Sequence, residues 1–255
     1  MEKIKNFKEK LTSKQSVIGP FMKAIDPAFV EIAGYANFDF IILDMEHGSI
    51  DFVNLQNLIR ATQSSNVIPI VRVQDDSEIS IDRALDSGAI GVQIPQISNA
   101  NQARKAVAAA KFAPEGNRGV CRYVKAAKYS SLDKFEYFRT ANELFVILQL
   151  EGQEAIDNLD EILRVEGIDI IFVGPYDLSQ SLGIPGEMDN PILHDKMKYI
   201  IEKAREKDIV VGTFVDDLEN AFLWKGIGVQ YISYSVDVGI FYEKCKDIVE
   251  SFKKK

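Results

Sequence analysis

Eight short runs of apolar, largely β-branched residues alternate with amphipathic stretches along the whole chain, and that alternation leaves few folds open. The runs are 16–23 (SVIGPFMK), 38–46 (FDFIILDME), 67–73 (VIPIVRV), 89–97 (AIGVQIPQI), 144–151 (LFVILQLE), 168–177 (IDIIFVGPYD), 209–215 (IVVGTFV) and 230–236 (QYISYSV). Continuous apolar runs of this length are how strands buried on both faces read, and such strands belong to parallel sheets. The intervening stretches carry helix signals. Asp26-Pro27 and Asn190-Pro191 place a capping side chain before a proline at the first helical position, predicting helices over 28–35 and from 191 to about Lys207. Apolar residues at three-to-four spacing predict further helices over 217–224 and 242–252, and Gly88, Gly167 and Gly226 stand at expected helix stops. The 255 residues shared among eight units give about 32 each, the size of a strand plus a helix. The expectation is a single (β/α)8 barrel spanning 1–255, with an open doubly wound sheet as the runner-up.

A barrel of this kind carries its active site at the carboxyl ends of its strands. Read at those positions, the chain presents Lys23, then Asp44, Glu46 and His47, then Arg72, Pro95-Gln96, Gln149 and Glu151, Asp177, Asp216 and Asp237. Structural need alone does not place ionisable groups at nearly every strand exit. Glu151 and Asp177, each ending an apolar strand, suit a hard divalent cation, Mg²⁺ or Mn²⁺, better than zinc. The bland alternative is that each caps the helix that follows. His47 is a natural proton-transfer group, whereas His194, in the first turn of a predicted helix, reads as surface. Arg72 leaves a wholly apolar strand, where its fork must be paired or presented to a pocket; it suits a carboxylate or a developing enolate oxygen, and the alternative is an ion pair with Asp44 or Glu46.

Several classes are disfavoured. With 30 basic and 38 acidic residues the net charge is −8, so nucleic acid is not an expected partner. The charged N-terminus has no apolar segment of a signal peptide, and no run reaches the length of about 18 residues that spans a membrane. Two cysteines, Cys121 and Cys245, in no CxxC spacing fit reduced thiols and a cytoplasmic location. There is no GxxxxGK, GxGxxG or GxSxG segment, and the acidic exits TFVDDLEN and YSVDVGIF do not support a phosphorylated substrate or an organic cofactor. Lys23 is the only lysine at a strand exit that could form a Schiff base.

The segments FDFIILDMEHGSID (38–51), VIPIVRV (67–73), RALDSGAIGVQIPQI (83–97), APEGNRGVCR (113–122), FVILQLEGQEAIDNLDEI (145–162), IDIIFVGPYDLSQSLGIPG (168–186) and YISYSVD (231–237) together resemble the HpcH/HpaI family of metal-dependent pyruvate aldolases. The resemblance implies a (β/α)8 barrel assembled as a homo-oligomer, a hexamer or trimer. It implies a divalent metal (Mg²⁺, Mn²⁺ or Co²⁺) on Glu151 and Asp177, with Asp44 and Glu46 in the metal–water shell. Arg72 is placed at the keto oxygen, His47 in proton transfer with Asp86 as its support, and Gln149 and the backbone of Gly174, Pro175 and Tyr176 around pyruvate. The reaction so implied is reversible cleavage of a 4-hydroxy-2-oxo acid, such as 4-hydroxy-2-oxoheptanedioate or a 2-keto-3-deoxy sugar acid, to pyruvate and an aldehyde. Many members carry a small residue where this chain has Tyr176. Rival expectations are a citryl-type lyase acting on a thioester, a Schiff-base aldolase using Lys23, and a barrel that binds a small acid without turning it over.

Overall fold

A computed structural model describes residues 2–254. Eight parallel strands close into a barrel in sequential order: β1 (Val17–Met22), β2 (Phe40–Asp44), β3 (Ile68–Arg72), β4 (Gly91–Ile94), β5 (Phe145–Leu150), β6 (Ile170–Val173), β7 (Val210–Val215) and β8 (Tyr231–Val236). Each sequence run contains one strand, trimmed by up to four residues at its ends. Pairing between β8 and β1 completes the ring and excludes the open sheet. Twelve helices lie among the described residues, because several connections hold an extra short helix.

The caps act as their sequences suggest. Asp26 accepts from the Ala28 N–H ahead of helix Pro27–Tyr35, and Asn190 accepts from the Ile192 N–H ahead of helix Pro191–Arg205. Three local expectations are corrected. Gly226 lies inside helix Leu218–Ile227, and Gly228, at φ 118°, ends it, since the left-handed turn needs a residue without a Cβ. The last helix starts at Asp237, five residues earlier than its apolar spacing indicated. His194 is half-buried, its ring edge-on to Trp224 at 5.1 Å and its Nε2 2.9 Å from the Met188 carbonyl oxygen.

Side chains alternate between the barrel lumen and the helix layer. The lumen is apolar at the amino-terminal end, where Phe40 stacks on Tyr231 with ring centroids 4.0 Å apart, and Ile70, Ile147 and Phe172 fill the next positions. Gly19 makes room there, because a Cβ on it would fall 2.0 Å from the Phe40 carbonyl oxygen. The amino-terminal helix Glu2–Thr12 plugs this end. Its Phe7 meets Phe40 and Phe145 edge-on, with centroids 6.0 and 5.3 Å away, and Leu11 joins the same cluster. Two residues further along several strands the same inward face turns polar, with Asp44, Arg72, Gln93 and Gln149 all buried. The apolar floor therefore carries a polar upper layer at the carboxyl end.

Because Phe7 is the wedge of that plug, Phe7→Ala is expected to lower unfolding free energy by about 3 kcal/mol, read from urea titration, with the barrel still formed.

Candidate active site

The upper layer is organised by one charge cluster. Asp44 and Arg72 end β2 and β3 as register partners, so both side chains enter the lumen side by side. The Arg72 guanidinium donates from Nε to Asp44 Oδ1 (2.9 Å) and from Nη2 to Asp44 Oδ2 (2.8 Å), and its Nη1 stands 3.1 Å from Glu46 Oε2. Its carbon centre lies 4.5 Å from the centroid of the Phe21 ring. Asp44 Oδ1 also accepts from the backbone N–H groups of Glu46 and His47, which tightens the turn leaving β2, and Lys23 Nζ lies 3.9 Å from its Oδ2. Burial pushes the Asp44 carboxyl up, but the bonds and charge of Arg72, the His47 N–H and Lys23 outweigh that and hold it below its ordinary value. Burial pushes Glu46 up, and Arg72 and His47 only partly offset it. The ion-pair expectation for Arg72 is thus realised together with its presentation at the mouth.

Across the lumen, Glu151 follows β5. It accepts from the Gln96 backbone N–H through Oε1 (2.8 Å) and from the Gln149 side-chain amide through Oε2, while Gln93 donates to Gln149. Gln96 adopts the left-handed conformation (φ 57°) and also donates from its side chain to Glu46 Oε1 at 3.2 Å. This glutamine ties the two halves of the mouth together. Sequence reasoning noted Gln96 only as a strand exit, and Gln93 left no signal beyond a polar residue in an apolar run. Gly174 lies against Glu151, where a Cβ would stand 3.0 Å from Oε2 and 3.2 Å from the Glu151 Cβ. Asp177 is the third residue of helix Pro175–Ser181, not a strand residue, with Pro175 at the first position and Tyr176 between them. Tyr176 is largely exposed, but the partial desolvation of its hydroxyl, together with its donation to Asp216 Oδ2 at 2.7 Å, pushes that hydroxyl up to about 12.

Glu151 is the electrostatically uncompensated group. Burial raises it to about 7, and the charges of Glu46 and Asp177 push the same way against the bonds from Gln149 and the Gln96 N–H. Arg72 is taken up by Asp44 and Glu46, so Glu151 and Asp177 face each other's charge without a cation among the described residues. Among the described residues no group of three or more His, Cys, Asp and Glu side chains converges. Two carboxylates with substrate or water oxygens in the other positions nevertheless suffice for Mg²⁺-type coordination. The donor set fits a hard divalent cation.

His47 stands at the rim, 59% exposed at its side chain, with Nε2 3.9 Å from Glu46 Oε2. Asp86 is not brought to it. Asp86 Oδ1 accepts from Arg118 Nη2 (2.7 Å), and Asp82 Oδ1 from Arg118 Nε (3.0 Å), so two acids of helix Glu78–Asp86 hold a fully buried guanidinium from the loop that follows helix Ala100–Ala110. An arginine in a loop gives no sequence signal of burial, and Arg118 was missed. Asp237 is a structural residue: its carboxylate accepts from the N–H groups of Lys23, Ala24 and Val238, closing β8 against the exit of β1. The 183–191 loop is tied down, with Ser179 Oγ accepting from the Gly186 N–H at 2.9 Å.

Fold and site define a class: a barrel enzyme whose mouth pairs an acid-held guanidinium with two uncompensated carboxylates. The profile of the HpcH/HpaI aldolase/citrate lyase family matches residues 17–243, and this chain belongs to that family as a carbon–carbon lyase. It is 31% identical over 97% of its length to the 5-keto-4-deoxy-D-glucarate aldolase of Enterobacter sp. (strain 638), covering 96% of that protein. The solved HpcH/HpaI aldolase from Desulfitobacterium hafniense DCB-2 superposes with a TM-score of 0.91 at 30% identity, with 97% of this chain and 96% of that one covered. The citrate synthase SbnG superposes with a TM-score of 0.88 at 29% identity, with 97% of each chain covered.

The raised Glu151 carboxyl has a defined consequence. The folded chain holds that proton more tightly than the unfolded chain, so without a cation stability falls as pH rises from about 4.5 to about 7 and then levels. Glu151→Gln is expected to unfold at a higher temperature than the parent near pH 8 in EDTA, with the two converging towards pH 4.5; calorimetry over that range checks the sign.

Proposed function

We propose that this enzyme cleaves a 4-hydroxy-2-oxo acid reversibly to pyruvate and an aldehyde. The observation that carries the reading is the arrangement of Arg72, held by Asp44 and Glu46, opposite the uncompensated Glu151 and Asp177. In the cleavage direction the C3–C4 bond breaks, its electron pair stays on C3 as the pyruvate enolate, and the 4-hydroxyl gives up its proton as C4 becomes the aldehyde carbon. C3 then takes a proton to become the methyl group. Arg72 faces the keto oxygen, where negative charge develops, and a preorganised donor there contributes roughly 3–4 kcal/mol. Because Asp44 holds the Nε/Nη2 edge of the fork and Glu46 stands against Nη1, the guanidinium does not reorganise during the step. His47 moves the 4-hydroxyl proton, oriented by Glu46 in place of Asp86, which Arg118 engages. Gln149, fixed by Gln93, and the backbone of Gly174, Pro175 and Tyr176 position the donor carboxylate. Glu151 and Asp177 would hold a divalent cation (Mg²⁺, Mn²⁺ or Co²⁺), which supplies Lewis-acid polarisation of the keto oxygen when bound.

The likeness to a citrate synthase favours a second reading, carbon–carbon chemistry on a tricarboxylate. The shortage of cations at the mouth counts against it. A homo-oligomer is supported by the last helix, Asp237–Lys253, where Asp237 alone is buried and Phe241, Tyr242, Ile248 and Phe252 stand in solvent. A cytoplasmic location is supported by two free, exposed cysteines; no helix of the described residues is long and apolar enough to cross a membrane.

Incubated with pyruvate in D₂O, the protein is expected to exchange the methyl protons when Mg²⁺ or Mn²⁺ is present and to stop on addition of EDTA, followed by proton NMR. Exchange that persists in EDTA would transfer the chemistry to Lys23. Arg72→Ala is expected to slow exchange about 10²–10³-fold. Sedimentation equilibrium is expected to give a mass at least twice that of one chain.

A further inference from the structure

An aromatic path leads from Arg72 to the far side of the mouth. Phe21 lies beneath the guanidinium, Phe214 of β7 is 6.0 Å from Phe21, and Tyr176 is 6.0 Å from Phe214. Tyr176 is fixed by its hydroxyl on Asp216, which bridges the exits of β6 and β7. The charge on this side is one-signed. Three sequence stretches, 165–195, 208–224 and 226–243, cover β6, β7, β8 and the loops leaving them, and they contain no lysine or arginine. Asp216, Asp217 and Glu243 all act on Tyr234 there. The nearby basic group from β1, Lys23, reaches towards Asp44 instead.

We propose that Tyr176 and Asp216 form the acceptor-side wall of the pocket and select an uncharged, hydroxyl-bearing aldehyde over one carrying a carboxylate. This rests on the aldol reading above. With the donor anchored between Arg72 and the Glu151–Asp177 side, the aldehyde half extends over Phe214 towards the pair. The Asp216 carboxylate stands exposed at the mouth; it offers acceptors to a hydroxyl group and repels an approaching anion, since like charges brought across a pocket disfavour binding and favour the neutral partner. The relative named for glucarate acts on a diacid, whose cleavage leaves a carboxylate on the aldehyde. By this wall the present enzyme prefers a different acceptor.

The test runs condensation with saturating pyruvate and compares kcat/KM for glyceraldehyde, a neutral three-carbon hydroxyaldehyde, with that for tartronate semialdehyde, the matching aldehyde acid. The parent is expected to prefer the neutral aldehyde by about tenfold or more, and Asp216→Asn to shrink that preference about tenfold, chiefly through KM for the acid. Tyr176→Phe keeps the ring but frees the Asp216 charge from its donor, so it is expected to move the preference the opposite way. A merely structural disturbance would shift both variants alike. Equal use of the two aldehydes by the parent, or an unchanged ratio in Asp216→Asn, overturns the proposal while pyruvate exchange leaves the aldol reading standing. Loss of pyruvate exchange in the parent overturns both.

Discussion

The bidentate pair between Asp44 and Arg72 is the interaction on which the site depends. It places a guanidinium inside the lumen of a barrel, where an unpaired charge would cost several kcal/mol. Register makes the pair possible: β2 and β3 end level, so both residues point inward at the same height. Glu46 then approaches the remaining edge of the fork, and the turn carrying His47 closes on the Asp44 carboxylate. With Arg72 so engaged, the carboxylates that follow β5 and β6, Glu151 and Asp177, have no ion-pair partner among the described residues. The same bond that steadies the guanidinium thus leaves the carboxylates opposite it uncompensated.

The rest of the fold supplies a rigid seat for this arrangement. Inward positions alternate with helix-facing ones, and along β2 they read Phe40, Ile42, Asp44, a passage from apolar to charged within five residues. The amino-terminal helix closes the apolar end, where Phe7 packs among the lumen side chains. Gln96 links Glu46 to Glu151 across the mouth, using a left-handed backbone that aims its N–H and its side chain at different acids. Strain of that kind, of order 1–3 kcal/mol, is tolerated where surrounding bonds over-determine it.

The solved aldolase at 30% identity shares the barrel over nearly its full length, and in barrels of this kind function is carried by the loops at the carboxyl ends of the strands. Among the mouth loops of this chain, the exposed Tyr176 beside Asp177 is held on Asp216. It sits one residue from a candidate metal ligand and bonds instead to the exit of β7.

The sequence by itself determined the eight strands, because a strand buried on both faces must be apolar along its length whatever it packs against. It also determined the strand-exit positions of Asp44, Arg72, Glu151 and Asp216, which follow from where each run ends. It did not reveal the amino-terminal plug, whose Phe7 and Leu11 are few among charged residues, nor the burial of Arg118, a loop residue held by two acids far away in the chain. Only the tertiary structure decided which ionisable groups meet. Asp86 turned to Arg118, Asp237 became a backbone cap, and Gln96 joined two acids about fifty residues apart on either side of it. Pair formation depends on register, backbone twist and competing partners, and these are fixed when the barrel closes, not by the residues' order along the chain.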